Sequence, residues 1–320
     1  GMLDQDTARS LLAIADESKA RIAFVGDRHQ LPAVGRGGVL DHAIAWAHPS
    51  AVVSLEKVHR FADPDYAALS QQMRKGADPT KLFDELHRRG QIVIHASDVE
   101  RTSALAEVGA AGDLVMTARR EQAADINATI RDQRSGRHGE QGITTASGER
   151  LGVGDKVATR RNDPDLQVAN RQTWTIAEIS YDGGLVLRAR GREHAVPAEY
   201  AQKYVELAYA TTVHGAQGDT VDRAHVALND ATGAAAAYVA MTRGRESNTA
   251  HLVAESEEEA RQQWVDTFRR DRADLGPAHA RRQAIEAIDR YGPDGRRRSA
   301  PVPPPPAAAP IHDHGHGLSM

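Results

Sequence analysis

Tyr209-Ala210-Thr211-Thr212-Val213-His214-Gly215-Ala216-Gln217-Gly218-Asp219-Thr220 starts as a short strand of small and hydroxyl-bearing residues and breaks into a loop with two glycines. Small residues let a backbone approach phosphate closely, and the hydroxyl and imidazole groups supply donors that read no base. Outward from this string, strands and helices alternate. Downstream come Val226-Ala227-Leu228, a helix over 234–242 and the strand His251-Leu252-Val253. Upstream lie the strand Ile92-Val93-Ile94, a helix near 99–108, the strand Leu114-Val115-Met116 and a helix over 122–131. Such alternation predicts an α/β fold, a parallel sheet with helices on both faces.

Between the two runs, from about 142 to 205, the character changes. Short strands are expected at Lys156-Val157-Ala158-Thr159, Thr173-Trp174-Thr175-Ile176 and Leu185-Val186-Leu187-Arg188, with the turn Tyr181-Asp182-Gly183-Gly184 joining two of them. This spacing predicts a small β-barrel inserted into the α/β domain. Two helices precede the first run, 63–76 and 78–90, each opened by Asp-Pro and closed by Gly. Further upstream, a helix over 6–18, capped by Asp4 or Asp6 with Ala8, Leu11, Leu12 and Ala15 on one face, leads to a buried strand, Arg21-Ile22-Ala23-Phe24-Val25, ending at Gly26-Asp27. Another strand is expected at Val52-Val53-Ser54-Leu55, a charged, solvent-facing helix after Ser256, and disorder in the Pro- and His-rich tail.

The 320 residues can bury a substantial core. No apolar run approaches the ~20 residues of a membrane-spanning helix, so a cytoplasmic location is expected. Zero cysteine excludes disulfides and thiolate metal sites, and no metal site is expected. The net charge of -4 provides no global field for nucleic acid, so contacts must come from local basic patches. The histidines at 312, 314 and 316 and the run Arg296-Arg297-Arg298 read as a solvated tail.

Four further strings carry chemistry. Gly26-Asp27-Arg28-His29-Gln30-Leu31-Pro32, continued by Val34-Gly35-Arg36-Gly37-Gly38, follows the first expected strand. An uncharged amide such as Gln30 can sense phosphate or water and switch partners without a charge penalty. Leu55-Glu56-Lys57-Val58-His59-Arg60-Phe61 places Arg60 after a strand. Leu114-Val115-Met116-Thr117-Ala118-Arg119-Arg120 ends another, with Asn127 in the next helix; Arg119 and Arg120 either face solvent or grip a backbone. Tyr238-Val239-Ala240-Met241-Thr242-Arg243-Gly244-Arg245 offers arginines whose planar fork matches two phosphate oxygens.

The strings around Gln30, Thr212 and Arg243 resemble, in this order, motifs III, V and VI of superfamily 1 DNA helicases. Arg60 matches the position of a γ-phosphate-binding arginine in that family, and 114–120 resembles the segment that opens the second RecA-like domain. The whole is most similar to the helicase half of conjugative relaxase-helicases of the TraA/TrwC kind with a RecD-like motor. The resemblance implies a RecA-like fold. Gly26, Asp27, Gln30, Arg60, Gln217, Gly218 and Arg243 would face ATP with magnesium, Gln30, Arg60 and Arg243 serving catalysis. Thr117, Arg119, Asn127, Thr212 and His214 would face single-stranded DNA. Gly154-Asp155-Lys156-Val157, with Asn162-Asp163 and Val168-Ala169-Asn170, resembles the Src-homology-type barrel inserted in such motors. The implied organisation is 1–46, the end of a first RecA-like domain; 47–141 and 206–255, the second; 142–205, the barrel; 256–292, a helical segment; and 293–320, the tail. The family opening Gly1-Met2-Leu3-Asp4 follows an Asp-Glu-Ala magnesium motif, and neither that motif nor a Gly-x-x-x-x-Gly-Lys-Ser/Thr string occurs here. The expected function is therefore the C-terminal part of a 5′–3′ helicase that binds single-stranded DNA but needs upstream sequence, and a relaxase, to work. The rival is a non-catalytic nucleic-acid-binding or assembly module. Bare apolar faces near the N-terminus predict dimerisation or docking.

Overall fold

A computed structural model describes residues 3–33, 37–55, 57–135, 142–270 and 281. The chain divides into two units, Gly1–Leu275 and Gly276–Met320. Among the described residues, the elements from residue 5 to residue 269 lie in the first. The expected tail, most of 271–292, and the 34–36 part of the first glycine-rich string lie outside the described residues.

Along the chain come α1 (Gln5–Ser18), α2 (Val39–Trp46), α3 (Pro64–Arg74), α4 (Pro79–Arg88), β1 (Ile92–His95), α5 (Asp98–Ala110), β2 (Leu114–Thr117) and α6 (Arg120–Ser135). Then follow β3 (Gly142–Thr144), β4 (Arg150–Gly152), β5 (Lys156–Thr159), β6 (Thr173–Ile179), β7 (Leu185–Ala189), β8 (Arg192–Val196), α7 (Ala198–Tyr204) and β9 (Val205–Leu207). The set closes with β10 (Ala210–Thr212), β11 (Val221–Ala227), α8 (Ala234–Ala240), β12 (Gly244–Val253) and α9 (Glu257–Arg269).

Strands β1, β12, β11, β2 and β10, in that order, form one sheet in which every pairing is parallel. Alternation along β2 shows how both faces are covered: Leu114 and Met116 enter a core with α3, α4, α8 and α9, while Val115 enters another with α5, α6 and the inserted antiparallel sheet. The expected caps operate. Asp63 and Asp78 accept from the amides of Asp65 and Thr80, and Gly76 and Gly90 close the helices at φ +66° and +68°.

The inserted segment is an antiparallel sheet, β8-β7-β6-β5-β9, beside the hairpin β3-β4. Its core, with Leu151, Val157, Trp174, Ile176 and Leu187 buried, is continuous with that of α5 and α6. Asp155 staples the two together. It is wholly buried, accepts from the Tyr209 hydroxyl at 2.9 Å and the Gly152 amide at 2.7 Å, and lies 3.1 Å from Arg131 Nε. A buried charge with this many partners adds little net stability, whereas removing one of the partners is costly.

Three sequence expectations fail. Residues 21–25 and 52–55 form no strand, and Val25, Val53 and Leu55 are at least four-fifths exposed. Among the described residues no strand lies alongside to pair with them, and a parallel strand without neighbours has no ladder to hold it. For the same reason Leu11 and Leu12 of α1 stay open and only Ala8 is buried there, although Asp4 caps the helix through the Thr7 amide. The helix after Ser256 is also not solvent-facing: Trp264 of α9 is fully buried, its ring 6.5 Å from that of Phe83 and 4.7 Å from that of Phe268. Its charges hid an apolar stripe, Ala260, Trp264, Val265, on one face. No helix among the described residues is long and apolar enough to cross a membrane.

A row of imidazoles crosses the sheet from β1 to β11. His95 Nε2 lies 2.9 Å from His251 Nδ1, His251 Nε2 lies 3.0 Å from His225 Nδ1, and His225 Nε2 lies 3.2 Å from Asp113 Oδ2. Neutral rings satisfy this row head to tail toward the carboxylate; a proton added to His251 would set donor against donor. Burial, and then the neighbouring His225 and His95, hold His251 down at about 3, and burial lowers His95 and His225 as well. An unfolded histidine titrates near ~6.5, so below that pH the unfolded chain binds protons that the fold refuses. Stability is expected to fall as the pH drops from ~6.5 toward 3, by up to ~1.4 kcal/mol per pH unit for one such group. Thermal melts across this range check it, and His251→Gln should flatten the profile; a wild-type melting temperature constant between neutral and mildly acidic pH contradicts it.

Candidate nucleotide and single-strand interface

The loop after α1 is tied to the sheet domain through Asp27. Its carboxylate accepts from Arg74 Nε of α3 at 3.2 Å, from the Tyr238 hydroxyl of α8 at 3.3 Å and from Gln30 Nε2 at 3.4 Å. The backbone N–H of His29 donates to it at 3.1 Å. The His29 amide and Arg74 hold the Asp27 carboxyl below the usual range despite its burial, which acts in the opposite direction.

From Tyr238 the network continues along α8. The Thr242 hydroxyl donates to the Tyr238 carbonyl at 2.8 Å, Arg60 donates to the Thr242 carbonyl, and Arg243 Nη2 donates to the Thr242 hydroxyl at 3.2 Å. Gln30, Arg60 and Arg243, far apart in the chain, therefore belong to one connected locus. Arg243 departs from expectation. It does not project from the surface: it is 1% exposed, with Nε donating to the Val239 carbonyl at 2.8 Å and Nη1 to the Asp219 carbonyl at 3.4 Å. Those acceptors carry no charge, so burial, and then the like charge of Arg60, push the Arg243 guanidinium down to about 10. Neither arginine has a carboxylate within 4.0 Å among the described residues. Of the two, Arg60 is half-buried and suits the outermost phosphate of a nucleotide, whereas the Arg243 nitrogens already donate to protein acceptors.

The loop between β10 and β11 connects two ends of the sheet. Thr212 stands at the C-terminal end of β10, beside Thr117 of β2; Val221 opens β11 beside Gly244, next to Arg243. The turn is tight enough that a methyl at Gly215 would collide with the Thr211 hydroxyl and lie 3.1 Å from the Thr212 carbonyl. Gly218 adopts φ +106°, and Gln217 keeps its Oε1 buried without a donor. Gly26 is exposed.

Of the expected DNA contacts, Thr212 lines a cleft of about 220 Å³ between α6, the inserted sheet segment and this loop, and its hydroxyl accepts from the Gly215 amide at 3.1 Å. His214 lies beside it, half-buried, with its carbonyl accepting from Arg171 of the inserted segment at 3.1 Å. Burial, with Arg171 close by, lowers the His214 imidazole, so it is neutral at physiological pH and offers a hydrogen bond rather than a charge.

Two expected contacts are corrected. Thr117 is fully buried and its hydroxyl donates to the Arg119 carbonyl at 2.7 Å. Asn127 is 4% exposed; its amide donates to the Leu207 and Ala210 carbonyls at 3.2 and 3.1 Å and accepts from the Ala210 amide at 2.7 Å. Thr117 shapes the strand end from behind, whereas Asn127 spends its amide on the backbone while still lining the cleft. Arg119 is exposed, 3.4 Å from Asp230. Sequence reading missed Arg74, Thr242 and Asp219 as members of the locus, and Arg160, Arg171 and Glu149 as walls of the cleft. Tyr238 and Thr242 lay inside one of the helicase-like strings, whereas nothing in the local sequence marks the last-turn arginine Arg74.

Asp27→Ala removes the acceptor for four donors at once, a loss of roughly 1–3 kcal/mol for the docked loop. Hydrogen exchange at the amides of 22–31 is expected to accelerate about tenfold or more while the sheet stays protected; unchanged exchange there contradicts the docking role. Asn127→Ala, which strands three backbone groups, is expected to lower global stability by roughly 2 kcal/mol, measured by urea denaturation.

A family profile described as an AAA domain matches residues 1–98. The chain is 34% identical over 116 residues to the Mycobacterium tuberculosis (strain ATCC 25618 / H37Rv) protein named "Uncharacterized protein Rv2311", covering 35% of this chain and 67% of that one. It is 34% identical over 106 residues to the conjugal transfer protein TraA of Agrobacterium fabrum, covering 32% of this chain and only 10% of TraA. In fold it matches the crystal structure of a Bacteroides Pif1 helicase in complex with ADP-AlF3 and single-stranded DNA, with a TM-score of 0.56 at 15% identity over 91% of this chain and 74% of that one. The parallel sheet and its flanking helices are thus RecA-like. The chain belongs to the family of Rv2311 and is a homologue of the superfamily 1 helicases.

Proposed function

We propose that this chain is the nucleotide-sensing and strand-gripping part of an ATP-dependent, 5′–3′ DNA helicase that serves conjugative transfer. The observation that carries the proposal is the continuous network from Gln30 through Asp27, Tyr238 and Thr242 to Arg60 and Arg243. It joins three strings of the helicase pattern at one place. In this reading Arg60, half-buried and without a counter-charge, meets the γ-phosphate directly, and Gln30 senses its presence. Arg243 acts from behind, holding the Asp219 end of the loop whose other end carries Thr212.

ATP and magnesium fit a half-buried Arg60 that forms no ion pair among the described residues, and when bound they supply the phosphoryl group and neutralise its charge. Residues 1–320 contain no phosphate-cradling Gly-x-x-x-x-Gly-Lys string, so those groups come from elsewhere in the working protein. Leu11, Leu12, Val25 and Val53 are open apolar side chains that the rest of a first RecA-like domain, or a second copy, would cover. A relaxase partner rests on the resemblance to TraA.

Supplied with such a phosphate-holding domain by fusion, the chain is expected to show ATP hydrolysis stimulated by single-stranded DNA; Arg60→Ala is expected to lower kcat by roughly 10³ or more, and Arg243→Ala to weaken the stimulation by single-stranded DNA through the displaced loop. The rival is a binding module without turnover; an extended protein that stays inert while this chain binds DNA tightly would establish it. Binding itself is expected to weaken with salt with a slope near about -0.7 per phosphate contacted, read from titrations on a single strand. A flat response contradicts a backbone groove.

A further inference from the structure

The cleft beside Thr212 is not built for phosphate alone. Arg120 and Arg171 are exposed at its rim, whereas Glu149 and Glu206 stand half-buried in its wall with Arg160. Glu206 is already engaged in an ion pair with Arg160, whose Nε–H finds no acceptor. Glu149 differs. Its Oε2 accepts from the Leu207 amide at 3.2 Å, and no cation among the described residues forms an ion pair with it. Burial and the neighbouring Glu206 charge push its carboxyl up, so a donor arriving at Glu149 relieves an unfavourable charge.

A phosphodiester offers only acceptors and a negative charge, and the two carboxylates would repel it. The rim arginines can hold that group while the nucleoside turns inward. A base that meets Glu149 must donate. Cytosine, adenine and guanine each present an exocyclic amine; thymine presents a single ring N–H flanked by two carbonyl oxygens, which would face the carboxylates acceptor against acceptor.

We propose that this cleft is a base-sensing subsite for one nucleotide of the bound single strand, with Glu149 accepting from an amine-bearing base and disfavouring thymine. The inference rests on the single-strand reading of the site and adds a preference to it. A strand held here is read at one position while the remaining contacts stay with the backbone.

The test uses the wild-type chain and two fluorescent homopolymers, twelve deoxycytidines and twelve deoxythymidines, titrated by anisotropy at one fixed salt concentration. The cytidine strand is expected to bind roughly fivefold or more tightly, the size of a base-edge contact. Glu149→Gln keeps an acceptor for the Leu207 amide and adds a donor for a thymine carbonyl, so it is expected to bring the two affinities together. Equal affinities in the wild type, or a preference that survives in the variant, would overturn the subsite and leave strand binding intact. Failure of both strands to bind the wild type would overturn the single-strand reading and this inference with it.

Discussion

The carboxylate of Asp27 is the contact on which the functional arrangement depends. Without it, the segment carrying Gln30 has no described polar anchor on α3 or α8. It is a partly buried charge held by one cation, one hydroxyl, one amide side chain and one backbone N–H. In that environment each donor raises the value of the others, because removing any one leaves the charge less compensated in a low-dielectric setting. Tyr238 is shared between this anchor and the helix that leads to Thr242 and Arg243, so the position of the N-terminal loop and of the arginines is set together.

The same economy of connection recurs on the far side of the sheet. The loop 213–220 runs from the C-terminal end of β10 to the N-terminal start of β11, so its two ends lie at opposite ends of the parallel strands. Arg243 holds the end at β11 through the Asp219 carbonyl; Arg171 of the inserted segment holds the end at β10 through the His214 carbonyl. Asp155 in turn fixes the inserted segment to α6. A change at the arginine cluster and a change at the cleft would therefore both act on one short stretch of backbone, which gives coupling between the two sites a short physical route. Burial of Arg243 is consistent with this: a guanidinium enclosed by backbone carbonyls serves as a brace as well as a charge.

The sheet and its helices were legible because periodicity and caps report local physics. Asp-Pro starts, glycine stops and apolar runs bounded by turns all correspond to elements within a residue or two, as α3, α4, β1 and β2 show. The expected strands at 21–25 and 52–55 did not form, because an apolar run states what a segment could pair with, not whether a neighbour is present. Asn127 and Thr117 illustrate a second limit. A polar residue inside a recognised string can face a ligand or can support the strand ends behind it, and only burial distinguishes the two. Glu149 and Arg171 were invisible for a third reason: they reach the cleft from an inserted domain, so no sequence spacing links them to Thr212.

For the nucleotide locus to exist as one unit, the Asp27 carboxylate and the Tyr238 hydroxyl must act together. A double-mutant cycle of Asp27→Ala and Tyr238→Phe, read by urea denaturation, measures that directly. A coupling of roughly 0.5–3 kcal/mol is predicted for groups that share this partly buried hydrogen bond. Additive losses, with no coupling between the two positions, would mean that the loop carrying Gln30 is not held to the arginine-bearing helix, and the single locus proposed for the nucleotide would not exist.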